Sequence, residues 1–343
     1  MYYLPTSLIL IGYSIVTLMY IFKNRKTKLE SQLFANEIII ALLFLAAGIM
    51  FPFMYQFHSP NLGQEILDNM WIVTSTIFLI EMGIWVIMLS YNALLSKRNP
   101  EIMAKRDYQK FCDEFKRNWV DDLKSEFGRK FLHLFTCFVI FFCWSLAVIL
   151  NDFEILTQFG LDIYSFAYWL IIIIGFGFVI MFQIGDLSRL TKFYILPNWA
   201  KKLYKNMRKE ELNTFIASTP LVLSFIPFLF APFPIFATVA LITTGADAAA
   251  CLIGKKFGTH RLKKNSDKTI EGFLAGGITT FLIVIIIPQL YYRWMAIDLE
   301  KIILMAIVAS ILFLLVDAYA KYISDNILNP LLTGFAMWII LLI

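Results

Sequence analysis

Asp247 lies near the end of a long apolar run, and the residues after it are of types that could handle a phosphate ester. They read Thr244-Gly245-Ala246-Asp247-Ala248-Ala249-Ala250-Cys251-Leu252-Ile253-Gly254-Lys255-Lys256-Phe257-Gly258, and then Lys264-Asn265-Ser266-Asp267-Lys268-Thr269-Ile270-Glu271-Gly272. An ionised carboxylate inside a bilayer costs about 3 kcal/mol or more, so Asp247 must face a partner, a cavity or a metal. The small residues around it allow close helix approach and by themselves mean only tight packing. Gly254 and Gly258 permit unusual backbone angles and close ligand approach. Six cations, Lys255, Lys256, Arg261, Lys263, Lys264 and Lys268, crowd into fourteen residues. A helix beginning near 267–269 would aim its free N–H groups and positive dipole end into the same loop. Together these features suit a polyphosphate. The lysines alone would follow from topology, and a capped or lysine-paired structural acid is the alternative for Asp247.

The elements that must position these residues are membrane helices. The 343 residues are 59% hydrophobic and 16% charged, with a mean hydropathy of +0.70, outside the range of water-soluble domains. A spanning helix needs roughly 20 apolar residues. Such runs lie near 4–22, 36–57, 68–95, 129–151, 162–184, 212–231, 232–253, 269–290, 302–322 and 326–343. The expected fold is all-α and polytopic, with about ten transmembrane helices. The division at Ala231-Pro232-Phe233-Pro234 rests on proline ending helices. The first apolar run has no basic stretch before it and no small-residue cleavage site after it, so it reads as a retained helix. Cys112, Cys137, Cys143 and Cys251 form no CxxC pair, which argues against disulfides and structural zinc.

Charge orients the spans. Four Lys and Arg follow the first span, ten lie in 96–130, seven in 189–209 and six in 255–268, with Lys321 in the last short turn. Ten spans place all these segments on one side, the cytoplasmic one, leave Arg293 and Lys301 opposite, and put both termini outside. The net charge of +5 reflects this asymmetry and an attraction to anionic lipids, so nucleic acid is not a needed partner. Asn99-Pro100-Glu101 has the order of a helix N-cap, first position and first-turn acid. Tyr108, Phe111, Phe115, Trp119, Leu123 and Phe127 follow at helical spacing among charges, predicting an amphipathic helix on the membrane surface. Trp199, Leu203 and Met207, interleaved with Lys201, Lys202, Lys205, Arg208 and Lys209, predict a second, anchored by anionic lipid. The expected organisation is an accessory three-span region over 1–95, a cytoplasmic amphipathic helix over 96–128, and a membrane core over 129–343.

The pattern Asp247-x-x-Ala250, Gly254-Lys255-Lys256-Phe257-Gly258 and Lys268-Thr269-x-Glu271-Gly272 resembles that of the membrane-embedded lipid kinases that use CTP, namely dolichol kinase, phytol kinase and the CTP-dependent diacylglycerol kinase. Arg129-Lys130-Phe131-Leu132-His133 resembles the signature that opens their core. Asp325-Asn326-Ile327-Leu328-Asn329-Pro330 resembles their C-terminal segment. The resemblance covers roughly 129–343 and leaves the first three spans outside it. The related phosphatidate cytidylyltransferases carry a similar loop together with a later Pro-Gly-His-Gly-Gly signature, which is absent from this chain.

The resemblance implies transfer of the γ-phosphoryl group of CTP to the hydroxyl of a membrane lipid, with Mg2+ neutralising the nucleotide. The acceptor would be a polyprenol or dolichol, a phytol-like alcohol or diacylglycerol. The reaction would take place at the cytoplasmic face of a prokaryotic plasma membrane or an endoplasmic-reticulum-type membrane. In that reading Asp247 and Asp325 hold Mg2+ or accept the alcohol proton, Asn326 assists, and Glu271 orients a lysine or the metal. Lys255, Lys256, Lys268 and Thr269 bind phosphates with the Gly254 and Gly258 backbone. Arg129, Lys130 and His133 contact nucleotide or acceptor; from topology alone, His133 would be a packed or interfacial histidine. Asp317 and Asp186 are second candidates near span ends, and the mid-span Glu81 pairs with another span or lines a lipid cleft. A cytidylyltransferase acting on a lipid phosphate and a transporter with buried acids such as Glu37, Glu81 and Asp247 are the other classes.

Overall fold

The computed structural model describes residues 1–24, 33–119, 123–204, 207–263, 268–320 and 322–343. Besides the four-residue helix Ile155–Gln158, fourteen helices organise them: α1 (Leu4–Lys23), α2 (Leu33–Met50), α3 (Gln64–Arg98), α4 (Pro100–Lys105), α5 (Tyr108–Asn118), α6 (Leu123–Asp152), α7 (Ile163–Lys192), α8 (Asn198–Leu203), α9 (Ser218–Leu223), α10 (Phe233–Leu241), α11 (Asp247–Phe257), α12 (Ile270–Leu290), α13 (Leu299–Tyr319) and α14 (Asp325–Leu342). The described residues form no strand beyond one isolated bridge, and nine of their helices are long and apolar enough to cross a membrane. The protein is therefore an all-α, polytopic integral membrane protein. This architecture suits hydrocarbon because a helix satisfies its own backbone donors and acceptors. Arg25, Lys26, Lys28, Lys205, Lys264 and Lys321 lie outside the described residues.

The expected span at 212–231 is the one that does not form as a continuous helix. Pro220, Pro227, Pro232 and Pro234 each remove a backbone donor and block the preceding turn. The segment accordingly breaks into the six residues of α9 and a short 3-10 turn over Ile226–Phe230, with α10 starting just after Pro232. Its apolar side chains are nearly all buried, so its hydropathy reports protein interior rather than lipid contact.

The chain folds as two compact units, Met1–Asp121 with Leu146–Leu223, and Asp122–Ser145 with Ser224–Ile343. These differ from the expected boundaries at 95 and 128: α7 belongs to the first unit, and α6 contributes to both. In the first unit, Asn99 caps α4 by accepting from the backbone of Glu101 and Ile102, as its sequence signature indicates. The aromatic face of α5 does not lie open to lipid, however. Cys112 and Phe115 are buried in a protein cluster with Phe193, Leu196, Ala200, Tyr204, Met207 and Leu212, and Tyr108, Phe111 and Trp119 pack on its edge. In the second predicted surface helix, Trp199 and Leu203 are about half exposed while Met207 faces inward.

The node of this unit is Arg189. It is fully buried, pairs with Asp186 at 2.9 Å, and donates to the carbonyls of Glu211, Leu212 and Thr214 and to the Tyr108 hydroxyl. Asp186 accepts in turn from the Ile216 backbone at 2.7 Å. Burial raises the Glu211 carboxyl, against two backbone donors that hold its charged form. Glu37 accepts from Thr214 at 2.8 Å. The second-tier candidate Asp186 is thus the counter-ion of a structural arginine. Glu81 lies beside Gly177, where an added Cβ would stand 3.5 Å from its carboxylate.

In the second unit, α12, α13 and α14 run alternately up and down, and Lys301 at the start of α13 donates to Leu341 at the end of α14. One end of this unit is aromatic: Trp144 stacks on Phe233 at 3.7 Å, and Tyr291 and Trp294 meet them edge-on. The other end holds the starts of α6, α12 and α14 and the ends of α11 and α13. Residues 224–233 travel between the two ends alongside α14. Ser224 bonds Asn326, Phe228 sits against Gly334 and Phe335, and Phe233 reaches the aromatic end.

Replacing Arg189 with Ala would leave Asp186 buried without its counter-ion. The expected cost is about 3–5 kcal/mol, read as a lowered unfolding midpoint or loss of monodisperse protein in detergent. A stability equal to that of the parent chain would contradict this role.

Candidate functional site

The span Phe233–Phe257 is not a regular helix. Residues Ile242–Ala246 form a π-turn, and Asp247 follows it directly. A π-turn widens a helix by one residue and is common at functional sites. The sequence supports it locally: Thr243 and Thr244 return their hydroxyls to carbonyls four residues back, and Gly245 and Ala246 leave room for the bulge. Asp247 is thereby presented to α6, where its carboxylate pairs closely with the Lys130 ammonium.

Around that pair the structure gathers most of the Arg-Lys-x-x-His group. Lys130 is 2% exposed, His133 5% and Arg129 8%. Arg129 pairs closely with Glu126, and Glu126 also takes Lys255 at 3.6 Å and the Cys251 thiol at 3.5 Å. Asp325 stands near enough to act electrostatically on both Lys130 and His133. Two buried nitrogens here, Arg129 Nε and His133 Nδ1, have no hydrogen-bond partner among the described residues. Arg129 Nε is a donor, His133 Nδ1 is a donor or an acceptor according to its tautomer, and a buried polar atom without a partner is costly.

The remaining predicted residues serve a neighbouring structure. Gly254 lets α11 and α12 meet backbone to backbone: a Cβ on Gly272 would stand 2.5 Å from the Ala250 carbonyl and 2.9 Å from the Gly254 Cα. Gly258 donates to the Gly254 carbonyl at 3.0 Å as α11 ends. Thr269 caps α12 by accepting from the Gly272 backbone, so that helix begins where expected. Glu271 accepts from the Thr259 hydroxyl at 2.8 Å, the His260 ring at 2.7 Å and both of their backbone N–H groups. Lys268 pairs with Asp317 at 2.7 Å and also donates to its carbonyl, while Lys256 lies over Phe257. Lys268 and Glu271 therefore fasten the basic loop to the end of α13 and to the start of α12. Among the described residues, the contacts found for Lys268 and Glu271 are with Asp317 and with Thr259 and His260.

The C-terminal motif has a backbone rationale. Pro330 cannot donate to the Asn326 carbonyl, which accepts instead from the Ser224 hydroxyl at 3.2 Å. Ser324 and Asp325 both accept from the Asn326 N–H, which sets the first turn of α14.

The donor chemistry bears on the expected metal. Mg2+ takes hard oxygen ligands and is often held by one or two carboxylates, with phosphate and water completing its shell. Asp247 and Asp325 fit that mode, and Asn326 adds an amide oxygen beside Asp325. Among the described residues, no group of three or more His, Cys, Asp and Glu could hold a metal unaided. The set suits an ion that arrives with a polyphosphate. Sequence reasoning missed Glu126, Cys251 and Ser224. Glu126 lies three residues before Arg129, and that i, i+3 spacing was the available signal.

Comparison with protein-family models, with curated proteins and with solved structures finds no match for this chain.

Breaking the Lys130–Asp247 pair from one side should cost more than removing it entirely. Asp247→Leu and Lys130→Met are each expected to destabilise by about 3 kcal/mol, and the double variant by much less. Unfolding of all three proteins in detergent checks this. A double variant as unstable as the two single losses added together would show that the side chains act independently.

Proposed function

We propose that the chain is a membrane phosphotransferase that moves the γ-phosphoryl group of CTP to the hydroxyl of a lipid alcohol, a polyprenol or dolichol before the others. The observation that carries this reading is the pairing of buried Lys130 with the partly exposed Asp247, beside His133, Arg129 and Asp325. The three-part motif resemblance supports it from the sequence. The nucleotide and the lipid class come from that resemblance.

Phosphoryl transfer requires positive charge on the phosphate oxygens, an acceptor for the alcohol proton and an in-line approach. Arg129 and Lys130 supply charge and donors that are already desolvated, which strengthens them relative to the same groups in water. In this reading Asp247, held by Lys130, or Asp325 takes the proton as the lipid oxygen bonds to phosphorus and CDP leaves. His133 offers its ring nitrogen to a phosphate oxygen or to the acceptor hydroxyl. Mg2+ bound through Asp247 and Asp325 would supply Lewis-acid charge at the nucleotide.

The one-sided basic loops support a cytoplasmic position for this end of the unit. If the broken segment through 224–233 counts as a crossing, it completes the tenth, and both termini then lie on the opposite side.

The test is incubation of the purified chain with Mg2+, CTP or ATP labelled at the γ-phosphate, and a panel of lipid alcohols. Label should enter a lipid with release of CDP, and Lys130→Gln and Asp247→Asn should each lower the rate per folded molecule by about 100-fold or more. Lys268→Ala, which touches Asp317 rather than this pair, should lose less than tenfold. Release of pyrophosphate from a lipid phosphate would replace this reading with cytidylyl transfer. Failure of a well-folded sample to label any lipid would falsify the kinase.

A further inference from the structure

Away from the Lys130–Asp247 pair, α12 and α13 enclose a groove of about 400 Å3 beneath the basic loop. Phe273, Ile311 and Leu315 form its walls, Tyr319 its mouth, and Leu262 and Lys263 its roof. Ile311 and Leu315 are 51% and 49% exposed on helices apolar enough to span a membrane, so the medium outside the groove is hydrocarbon. Tyr319 is exposed at the groove's mouth, where aromatic side chains mark the boundary between hydrocarbon and headgroups. Lys263 is therefore at headgroup depth.

Among the described residues that line the groove, Lys263 is the charged one. Lys263 spends one of its three donors on the Ala318 carbonyl at 2.6 Å, and its ammonium lies 4.1 Å from the centre of the Tyr319 ring. Lys268 pairs with Asp317 next to it, and among the described residues no acidic side chain lines the groove. An occupant must pair an apolar chain with an anionic head. A soluble anion has nothing to place against Phe273 and Ile311. A zwitterionic headgroup would bring a second cation towards Lys263.

We propose that this groove binds one anionic phospholipid, its acyl chain along Phe273, Ile311 and Leu315 and its phosphate against Lys263. Lys263 also covers the carbonyl end of α13, where a cation is favoured, so the lipid phosphate adds a third partner to an ammonium already held in place. The site stands on this geometry alone and does not depend on the reaction proposed above.

The experiment uses the full chain in neutral detergent, titrated with phosphatidylglycerol or with phosphatidylcholine of the same acyl chains, and bound lipid is counted by native mass spectrometry. Phosphatidylglycerol should bind more tightly. Lys263→Gln, which removes the charge, and Ile311→Trp, which fills the groove, should each weaken it roughly fivefold or more. Lys192→Gln, the same charge change on an exposed lysine of α7, should not. Equal affinity for phosphatidylcholine, an equal loss in Lys192→Gln, or displacement of the lipid by an equal concentration of inorganic phosphate would each overturn the proposal. A photoreactive acyl chain on phosphatidylglycerol tests the unmodified protein and needs no variant to fold. Its label should fall on the peptides that carry Phe273 and residues 311–319, and label confined to other peptides, or to a second copy of the chain, would also overturn it.

Discussion

An ion in a low-dielectric interior is tolerated only when its counter-ion arrives with it, and both units of this protein are organised by that requirement. In the first, Arg189 and Asp186 are fully buried together, and the remaining guanidinium donors reach carbonyls of a segment that has no regular helix of its own. In the second, Lys130 is buried almost completely and pairs with Asp247, which keeps some exposure. The two pairs differ in what is left over. Every donor drawn from Arg189 has an acceptor within the fold. Beside Lys130, by contrast, Arg129 and His133 retain nitrogens that the described residues do not satisfy.

The same accounting applies to the backbone. Proline interrupts helices in this chain at α14 and before α10, and there the backbone has a substitute donor or a buried setting. The Asn326 carbonyl freed by Pro330 is taken by Ser224, and the proline-rich stretch before α10 is enclosed by aromatic side chains. Irregular backbone at membrane depth is stable only under such cover.

Hydropathy made nine spanning helices legible because each lies in an uninterrupted apolar run. It misjudged 212–231 because a window of apolar residues does not distinguish contact with lipid from contact with protein. Only the proline spacing carried the difference. The capping of α4 by Asn99 and of α12 by Thr269 was readable, since a cap depends on neighbours in sequence. The partners of α5 were not, because an aromatic face with charged flanks reads alike whether it meets headgroups or Phe193 and Tyr204. In the site, the union of Arg129, Lys130 and His133 with Asp247 and Asp325 was drawn from motif order rather than from spacing. Lys268 and Glu271 were assigned to the ligand because short-range sequence cannot show that Asp317 and Thr259 already hold them.

The π-turn before Asp247 gives this helix a phase as well as a shape. One surplus residue turns everything after it by about 100° about the helix axis. Gly254, Cys251 and Asp247 share that downstream frame, while Ala240 and Phe236 keep the upstream one. A single-residue deletion within Ile242–Ala246 would preserve composition, hydropathy and helix length almost unchanged. It would still swing Asp247 away from Lys130 and Gly254 away from Gly272 in one movement. The ion pair and the glycine contact are thus a single mechanical setting, indexed by the count of residues between them and the aromatic end.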